Sequence, residues 1–470
     1  MSSPRRPSLT FAVLGIAAAA YAVSQTMLIP SLPELEDSLH TSPSGVSALM
    51  TTFWIAGAVT AGLFGRLGDM YGKRKVIVAT LLSFSLGGVL CALASTLGVM
   101  IAGRFLMGCG VGMFPLAYSL IRDEFEPRRA VRSIAFLGGI AAIGGAVGQS
   151  TGGFVAEHFG TSSIFWLSVA MGLVSVVGIL AAVPESPVRT GGRVDVAGAL
   201  LLTVGLAAPL TAIAEAPSWG WVDPRTLFLL AAGALLLAVF VLFELRRTEP
   251  LIDMRTLVLP RIRMTNLTTW FVGFGFFGFS TILTQFFQEP ASTGYGIGAS
   301  ATEAGLFLVP GLVLLTITSV FAGRLSARVG PTLTLRLGVA VGTVGIAGLT
   351  LSHTHPAEVI LWTAILYIGV GGAFGAMPTI ILQAVPSSQS GQSAAINIIV
   401  RMVGSAIGVQ LAATIVTASI GAAGAPTDRG YTTAFALATV AGCAALLASL
   451  AIPRETPAGR EAAQVQAQPG

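Results

Sequence analysis

The sequence predicts an all-α polytopic membrane protein with about fourteen transmembrane helices, and three observations carry that expectation. The first is composition. Of 470 residues, 54% are hydrophobic and only 10% are charged, and the mean hydropathy is +0.82. That is too apolar for a chain that must cover itself with polar surface in water. The second is the length of the apolar runs, since a hydrocarbon core of roughly 30 Å is crossed by about 20 residues of helix. The third is the placement of Lys and Arg, which fall in alternate loops as a membrane topology requires.

The spans are expected at 9–31, 45–64, 75–95, 97–121, 133–157 and 162–183, then at 196–215 and 225–245. A second group of six follows at 264–288, 300–322, 332–352, 357–382, 391–418 and 431–452. Arg5 and Arg6 ahead of an apolar stretch are compatible with a cleaved leader, but the run continues toward Ser31 and exceeds a normal h-region, so it is assigned as the first span. The chain divides into a cytoplasmic N-terminus at 1–8, a six-helix half at 9–183 and a linker at 184–263 holding two inserted helices. A second six-helix half at 264–452 and a polar, Ala/Gln-rich tail at 453–470, expected to be disordered and cytoplasmic, complete it.

With both termini placed in the cytoplasm, Arg225 and Arg429 alone among the 26 basic residues fall on the far side, and Arg104 and Arg401 lie within spans. An odd helix count would scramble this separation. The net charge of +5 is spread over many short loops, which argues for orientation and against nucleic-acid binding. Cys91, Cys109 and Cys443 sit in apolar runs without C-x-x-C spacing, so they are expected to be packing residues, with no metal or cofactor implied. No segment gathers a nucleophile, a base and an acid, and an enzyme is not expected.

Residues 65–76 read Gly-Arg-Leu-Gly-Asp-Met-Tyr-Gly-Lys-Arg-Lys-Val, a glycine-punctuated charged loop between the second and third spans. Gly65, Leu67, Asp69, Gly72, Lys73 and Arg74 match G-x-L-x-D-x-x-G-[RK]-[RK], and on these residues the chain resembles the major facilitator superfamily. Gly323 to Gly330 echoes the pattern after the second helix of the later group, with Arg328 where the acid would stand, which implies two homologous halves. The resemblance implies the major facilitator fold, two six-helix halves around a midplane cavity, and a latching role for Asp69 in the outward-facing state. The extra pair of helices resembles the fourteen-helix drug:proton antiporter branch.

Arg104, with Gly108, Gly112 and Pro115 behind it, resembles the family's fourth-helix motif, in which the arginine is implicated in proton transfer. A guanidinium at that depth costs at least about 2.5 kcal/mol unless it meets a wet cavity or a partner, so a purely structural role in holding helices stays open. Asp123 and Arg401 join it as candidates for a proton and charge network. Gly144, Gly148, Gln149, Gly152 and Gly153 resemble the antiporter motif G-x-x-x-G-P-x-x-G-G, with Gln149 at the proline position; helix packing through small residues is the alternative. A second departure lies in the first span, where Ser24-Gln25-Thr26 replaces the branch's D-x-T. No Asp or Glu is expected deep within any span. Glu157, Glu215, Glu289, Glu303 and Glu358 fall at outer helix ends, where plain solvation is the expected role.

Gly305, Pro310, and Gly391 to Asn397 leading to Arg401, Gly404 and Gly408 extend the resemblance through the second half. Asn397 and Arg401 share a helix face; lining the cavity and binding a neighbouring helix are both open to them. The seventh facilitator span carries Trp270, Phe274, Phe276, Phe277, Thr281, Gln285 and Gln288, a mixture of rings and hydrogen-bonding groups that suits an amphipathic organic substrate. Gln25, Trp270, Phe277, Gln285 and Asn397 are taken as the substrate cavity. The expected function is a proton-coupled secondary exporter of small amphipathic compounds, acting as a monomer in the bacterial plasma membrane. An uptake permease of the same fold and a transport-inactive sensor are the alternatives.

Overall fold

A computed structural model describes residues 7–31, 38–41, 43–186, 195–247, 254–385, 390–421 and 426–453, together with Leu35 and Pro250. Arg5, Arg6, Arg189, Arg193 and the tail beyond residue 453 lie outside them. Among the described residues every regular element is helical. The first group comprises α1 (Pro7–Met27), α2 (Pro43–Tyr71), α3 (Lys73–Ala92), α4 (Leu97–Glu124, with a 3-10 turn at Cys109–Gly112), α5 (Pro127–Phe159) and α6 (Thr161–Ala182). After these come α7 (Val196–Trp219), α8 (Pro224–Leu245) and the short α9 (Met254–Val258). The last group is α10 (Pro260–Val272), a π-helical segment Gly273–Phe277, α11 (Ser280–Gln288), α12 (Ala301–Val329), α13 (Pro331–Leu351), α14 (Pro356–Gln383), α15 (Ser390–Thr417) and α16 (Asp428–Leu450).

Ten of these helices are long and apolar enough to cross a membrane: α1, α3, α4, α6, α8 and α12 to α16. At the other four expected spans stand α2, α5, α7 and the α10–α11 pair broken by its π segment. The outer surface bears out a lipid environment. Leu351 is 86% exposed, Phe228 69% and Leu447 68%, large side chains that would be costly in water.

Several ends differ from expectation for one reason. Hydropathy stops at the first charges, whereas helical hydrogen bonding does not. So α2, expected to end at 64, runs to Tyr71, and α12, expected to end at 322, runs to Val329. The expected charged loop is thereby reduced to a single residue, Gly72 (φ 109°), between α2 and α3. Gly330 (φ 93°) joins α12 to α13 in the same way. Only glycine takes such a φ cheaply, so the sequence echo between the halves is also an echo of backbone geometry.

Two apolar cores result. One gathers Leu14, Tyr21, Phe53, Phe84, Met113 and Leu120; the other gathers Phe274, Phe286, Leu335, Val339, Tyr431 and Phe435. Helix α15 belongs to both, giving Ala395 and Ile399 to the first and Ala412 and Val416 to the second. It packs on α2, while α12 packs on α5, and these two contacts join the halves. The inserted helix α7 packs on α8, α2 and α15.

The π segment interrupts the expected uniform helix 264–288 where Gly273, Gly275 and Gly278 fall. A methyl at Gly278 would meet Gly408 Cα at 2.6 Å, and one at Gly404 would meet the Trp270 carbonyl at 2.3 Å. The backbones are in contact there, and the inserted residue of a π turn accommodates the crowding. Cys91 and Cys109 are buried as expected, but Cys443 is exposed on α16 and has no packing role.

Candidate functional site

Of the charged residues between the second and third spans, Asp69 and Lys73 are not solvated, while Lys75 is exposed. Gly72 turns the chain so that Lys73, the first residue of α3, is fully buried. Its Nζ pairs with Asp69 one turn back on α2 at 3.7 Å and hydrogen-bonds Asp123 at the end of α4. Both carboxylates are almost wholly excluded from solvent. Ser186 Oγ donates a second bond to Asp123 Oδ2 at 2.7 Å. A charged loop between spans would leave Asp69 at a solvent-accessible helix end; the structure places it inside instead, because α2 continues past it and α3 and α4 close over it. Next to this group, the Arg74 and Ser186 amides donate to Glu185 Oε1 at 3.0 and 3.2 Å, and a methyl at Gly72 would sit 2.7 Å from that carboxylate. Gly72 is therefore needed for its φ and for the space Glu185 fills. Gly65 is buried two turns earlier on α2.

Glu185 and Ser186 did not stand out in the sequence. They lie more than a hundred residues from Arg74, and nothing in their local spacing points to it; only the polar Pro-Glu-Ser step directly after the sixth span could have drawn attention. Arg122 was missed in the same way. Its guanidinium donates to the Val385 carbonyl at 2.8 Å, joining the end of α4 in one half to the end of α14 in the other.

Arg104 is completely buried. Its Nε donates to the Leu49 carbonyl at 3.4 Å, a terminal nitrogen lies 3.6 Å from the Met50 sulfur, and the guanidinium covers the Phe53 ring at 4.2 Å. All three partners are on α2. Gly108 explains the R-x-x-x-G spacing: a methyl there would be 2.5 Å from the Phe53 carbonyl, so the glycine lets α4 approach closely enough for Arg104 to reach under α2. Of the two roles open to Arg104, this geometry fits the structural one. Arg401 is half-buried over the Phe374 ring at 4.6 Å.

The glycines of the fifth span form a seam against α1. Methyls at Gly144, Gly148 and Gly152 would lie 2.7, 2.2 and 2.1 Å from the carbonyls of Ala19, Val23 and Met27, and Thr26 Oγ1 donates to the Gly145 carbonyl at 2.6 Å. Gly153 is half-buried beside that row. Gln149, in the place of the motif's proline, donates to Thr284 on α11 at 3.3 Å and so bridges the halves. With no proline present, α5 is one unbroken helix of 33 residues.

The proposed cavity residues separate. Asn397 is buried and donates to Asn266 Oδ1 at 2.9 Å and Thr269 Oγ1 at 2.8 Å on α10, a helix-to-helix clasp rather than a free cavity wall. Trp270 is half-buried and stacks on Phe274 at 5.5 Å. Gln25 is half-buried and Gln285 exposed; the side chains of Phe277, Thr281 and Glu157 lie outside the described residues. Ser24, at the position of the branch's acid, is buried and donates its hydroxyl to its own helix at Ala20 (2.8 Å).

Three of the carboxylates expected at outer helix ends are used locally and not merely solvated. Glu303 and Ser300 make a reciprocal capping box on α12, Glu358 accepts from Ser352 at 2.6 Å, and Glu289 accepts from Tyr431 at 2.7 Å. His353, also unremarked in the sequence, meets Asp428 at 2.9 Å and ties α13 to α16.

Two helical cores, joined along the α15–α2 and α12–α5 contacts and wrapped in an apolar surface, define a polytopic helical membrane protein. The model of the Major Facilitator Superfamily matches residues 14–409 and 265–469, and the chain belongs to that family. It is 27% identical over 83% of its length to multidrug resistance protein Stp of Mycobacterium tuberculosis, covering 72% of that protein. It is 25% identical to the tetracenomycin C resistance and export protein of Streptomyces glaucescens (88% and 77% covered) and 28% identical to the drug efflux pump JefA of M. tuberculosis (89% and 82%). Among solved structures, the human organic anion transporter MFSD10 superposes with a TM-score of 0.70 at 14% identity, covering 96% of this chain and all of that one. The proton:xylose symporter XylE gives 0.66 at 14% identity, covering 95% and 96%. Both establish the shared fold.

Proposed function

We propose that this transporter is a secondary active exporter of small amphipathic organic compounds, drugs or metabolites of the host cell, driven by proton entry. It works by alternating access of the two halves, in a bacterial plasma membrane with both termini cytoplasmic. The observation that carries the reading is the similarity, over 83–89% of this chain, to three proteins whose names record drug resistance or export. The glycine seam between α5 and α1, at the positions of the antiporter motif, supports it. In this reading Asp69, Lys73 and Asp123 hold the helix ends of one half together, Arg122 latches that half to the other, and both must rearrange as the transporter changes state. The test compares accumulation of fluorescent neutral, anionic and cationic compounds in expressing and null cells, with and without a protonophore. Lower accumulation in expressing cells that collapses with the proton gradient is expected. Higher accumulation would turn the direction around, and export indifferent to the protonophore would remove proton coupling.

A further inference from the structure

Two clefts flank α12 at the end of the bundle that carries the Gly72 and Gly330 joints, and both are lined by Arg324. The smaller, about 290 Å³, lies on the seam between the halves and is walled by Phe11, Arg132, Phe136 and Val320. It closes deeper in, where Thr316 donates to the Gly139 carbonyl. The larger, about 450 Å³, lies between α12, α13 and α14, with Arg328 at its charged rim and Leu337, Val341 and Ile368 along its walls.

We propose that these clefts together form a binding site for an anionic phospholipid. Its phosphate sits at Arg324 between Arg132 and Arg328, and its acyl chains enter the clefts on either side of α12. Three features argue for this occupant. The rim is of one sign: three arginines line the clefts and no Asp or Glu does. Arg132, Arg324 and Arg328 are all exposed, and none has an ion-pair partner among the described residues. Arg324 instead lies 5.5 Å over the Phe321 ring, so its charge is free to meet a phosphate. Finally, the walls are apolar and their side chains open laterally, with Phe321 59% and Leu337 48% exposed. A soluble phosphate has no use for such walls, whereas a lipid uses both rim and wall. The site goes beyond the transport reading and stands whether or not export is confirmed.

The test is native mass spectrometry of the purified full chain, titrated with dioleoyl phosphatidylglycerol or dioleoyl phosphatidylcholine, with sn-glycerol 3-phosphate as soluble competitor. Phosphatidylglycerol should bind in preference. Arg324→Gln should weaken it about five-fold, and replacing all three arginines should weaken it on the order of a hundred-fold. Arg324→Lys should keep most of the binding, and Arg429→Gln at the opposite end should change nothing; thermal unfolding in phosphatidylcholine micelles reports whether each variant is folded. Equal binding of the two lipids, an unchanged preference in folded Arg324→Gln, or an equal loss in Arg429→Gln would overturn the site. Displacement by glycerol 3-phosphate would overturn the lipid in favour of a soluble phosphate.

Discussion

Lys73 has no contact with water and stands between two carboxylates that are almost as deeply buried. Removing the cation takes the buried counter-charge from both acids, although Asp123 keeps the Ser186 bond, and breaking a buried pair in this way costs about 3–5 kcal/mol. Lys73→Met is therefore expected to lower the unfolding temperature markedly, and adding Asp123→Asn should recover part of the loss. A single variant that melts with the wild type would show that the pair contributes nothing. Asp69→Asn is a different case, because Asp123 still satisfies Lys73. It should express nearly normally yet lose transport if the charge serves the latch, and full activity in vesicles would sink that role. Arg104→Ala removes the Leu49 bond and the cover over Phe53, so it should both destabilise and inactivate. Arg104→Lys retains the charge without the planar fork and should keep part of the activity; an alanine variant as active as wild type would make the arginine dispensable.

At the scale of the element, α5 and α1 meet backbone to backbone through Gly144, Gly148 and Gly152. A methyl at Gly148 has to push the two helices apart, and overpacking of this kind costs about 1–3 kcal/mol. Gly148→Ala is expected to reduce both stability and transport, whereas Gly145→Ala, whose methyl would meet only the Thr26 side chain at an ordinary 3.7 Å, should leave both unchanged. Unfolding curves and initial transport rates of the two variants check this, and equal behaviour would deny the seam its importance. The corresponding contact in the other half joins α15 to α10 through Gly404 and to the π segment through Gly408, where methyls would lie 2.3 and 2.2 Å from the carbonyls of Trp270 and Phe274, so each half is held by the same device.

Across the whole molecule, the spans contain Arg104 and Arg401, while Ser24 occupies the position at which the fourteen-helix branch carries an acid. A fixed cation in a low-dielectric cavity needs a counter-charge, so export of permanently cationic dyes should be weaker than that of neutral or anionic compounds. Ethidium efflux as strong as that of a neutral dye would contradict this. We propose that proton coupling draws on carboxylates near the helix ends, with Asp69 and Asp123 at one side and Glu157, Glu289 and Glu303 at the other as the candidates. At least one of them should be required for uptake driven by a pH gradient in proteoliposomes but not for substrate exchange. If every single neutralised variant keeps gradient-driven uptake, a lone carboxylate carrier is excluded.

Membrane insertion, the helical class and the repeat of two halves were legible in the chain because each rests on local properties: hydropathy over about 20 residues, alternation of charge between loops, and a glycine pattern that recurs at the Gly72 and Gly330 joints. Helix ends beyond the hydrocarbon were not, since the hydrogen-bond ladder continues through charged residues that a hydropathy reading ends at. Nor could the chain reveal that Asp69 is inside, that Glu185 fills the space over Gly72, or that Asn397 clasps α10. Those outcomes join residues far apart in the chain, and only the packing of helices decides which of them meet. The same residue types at the same spacings are compatible with a solvated loop, an open cavity wall or a buried pair. What selects among these is the desolvation each group undergoes once its neighbours close over it, a property of the assembled bundle.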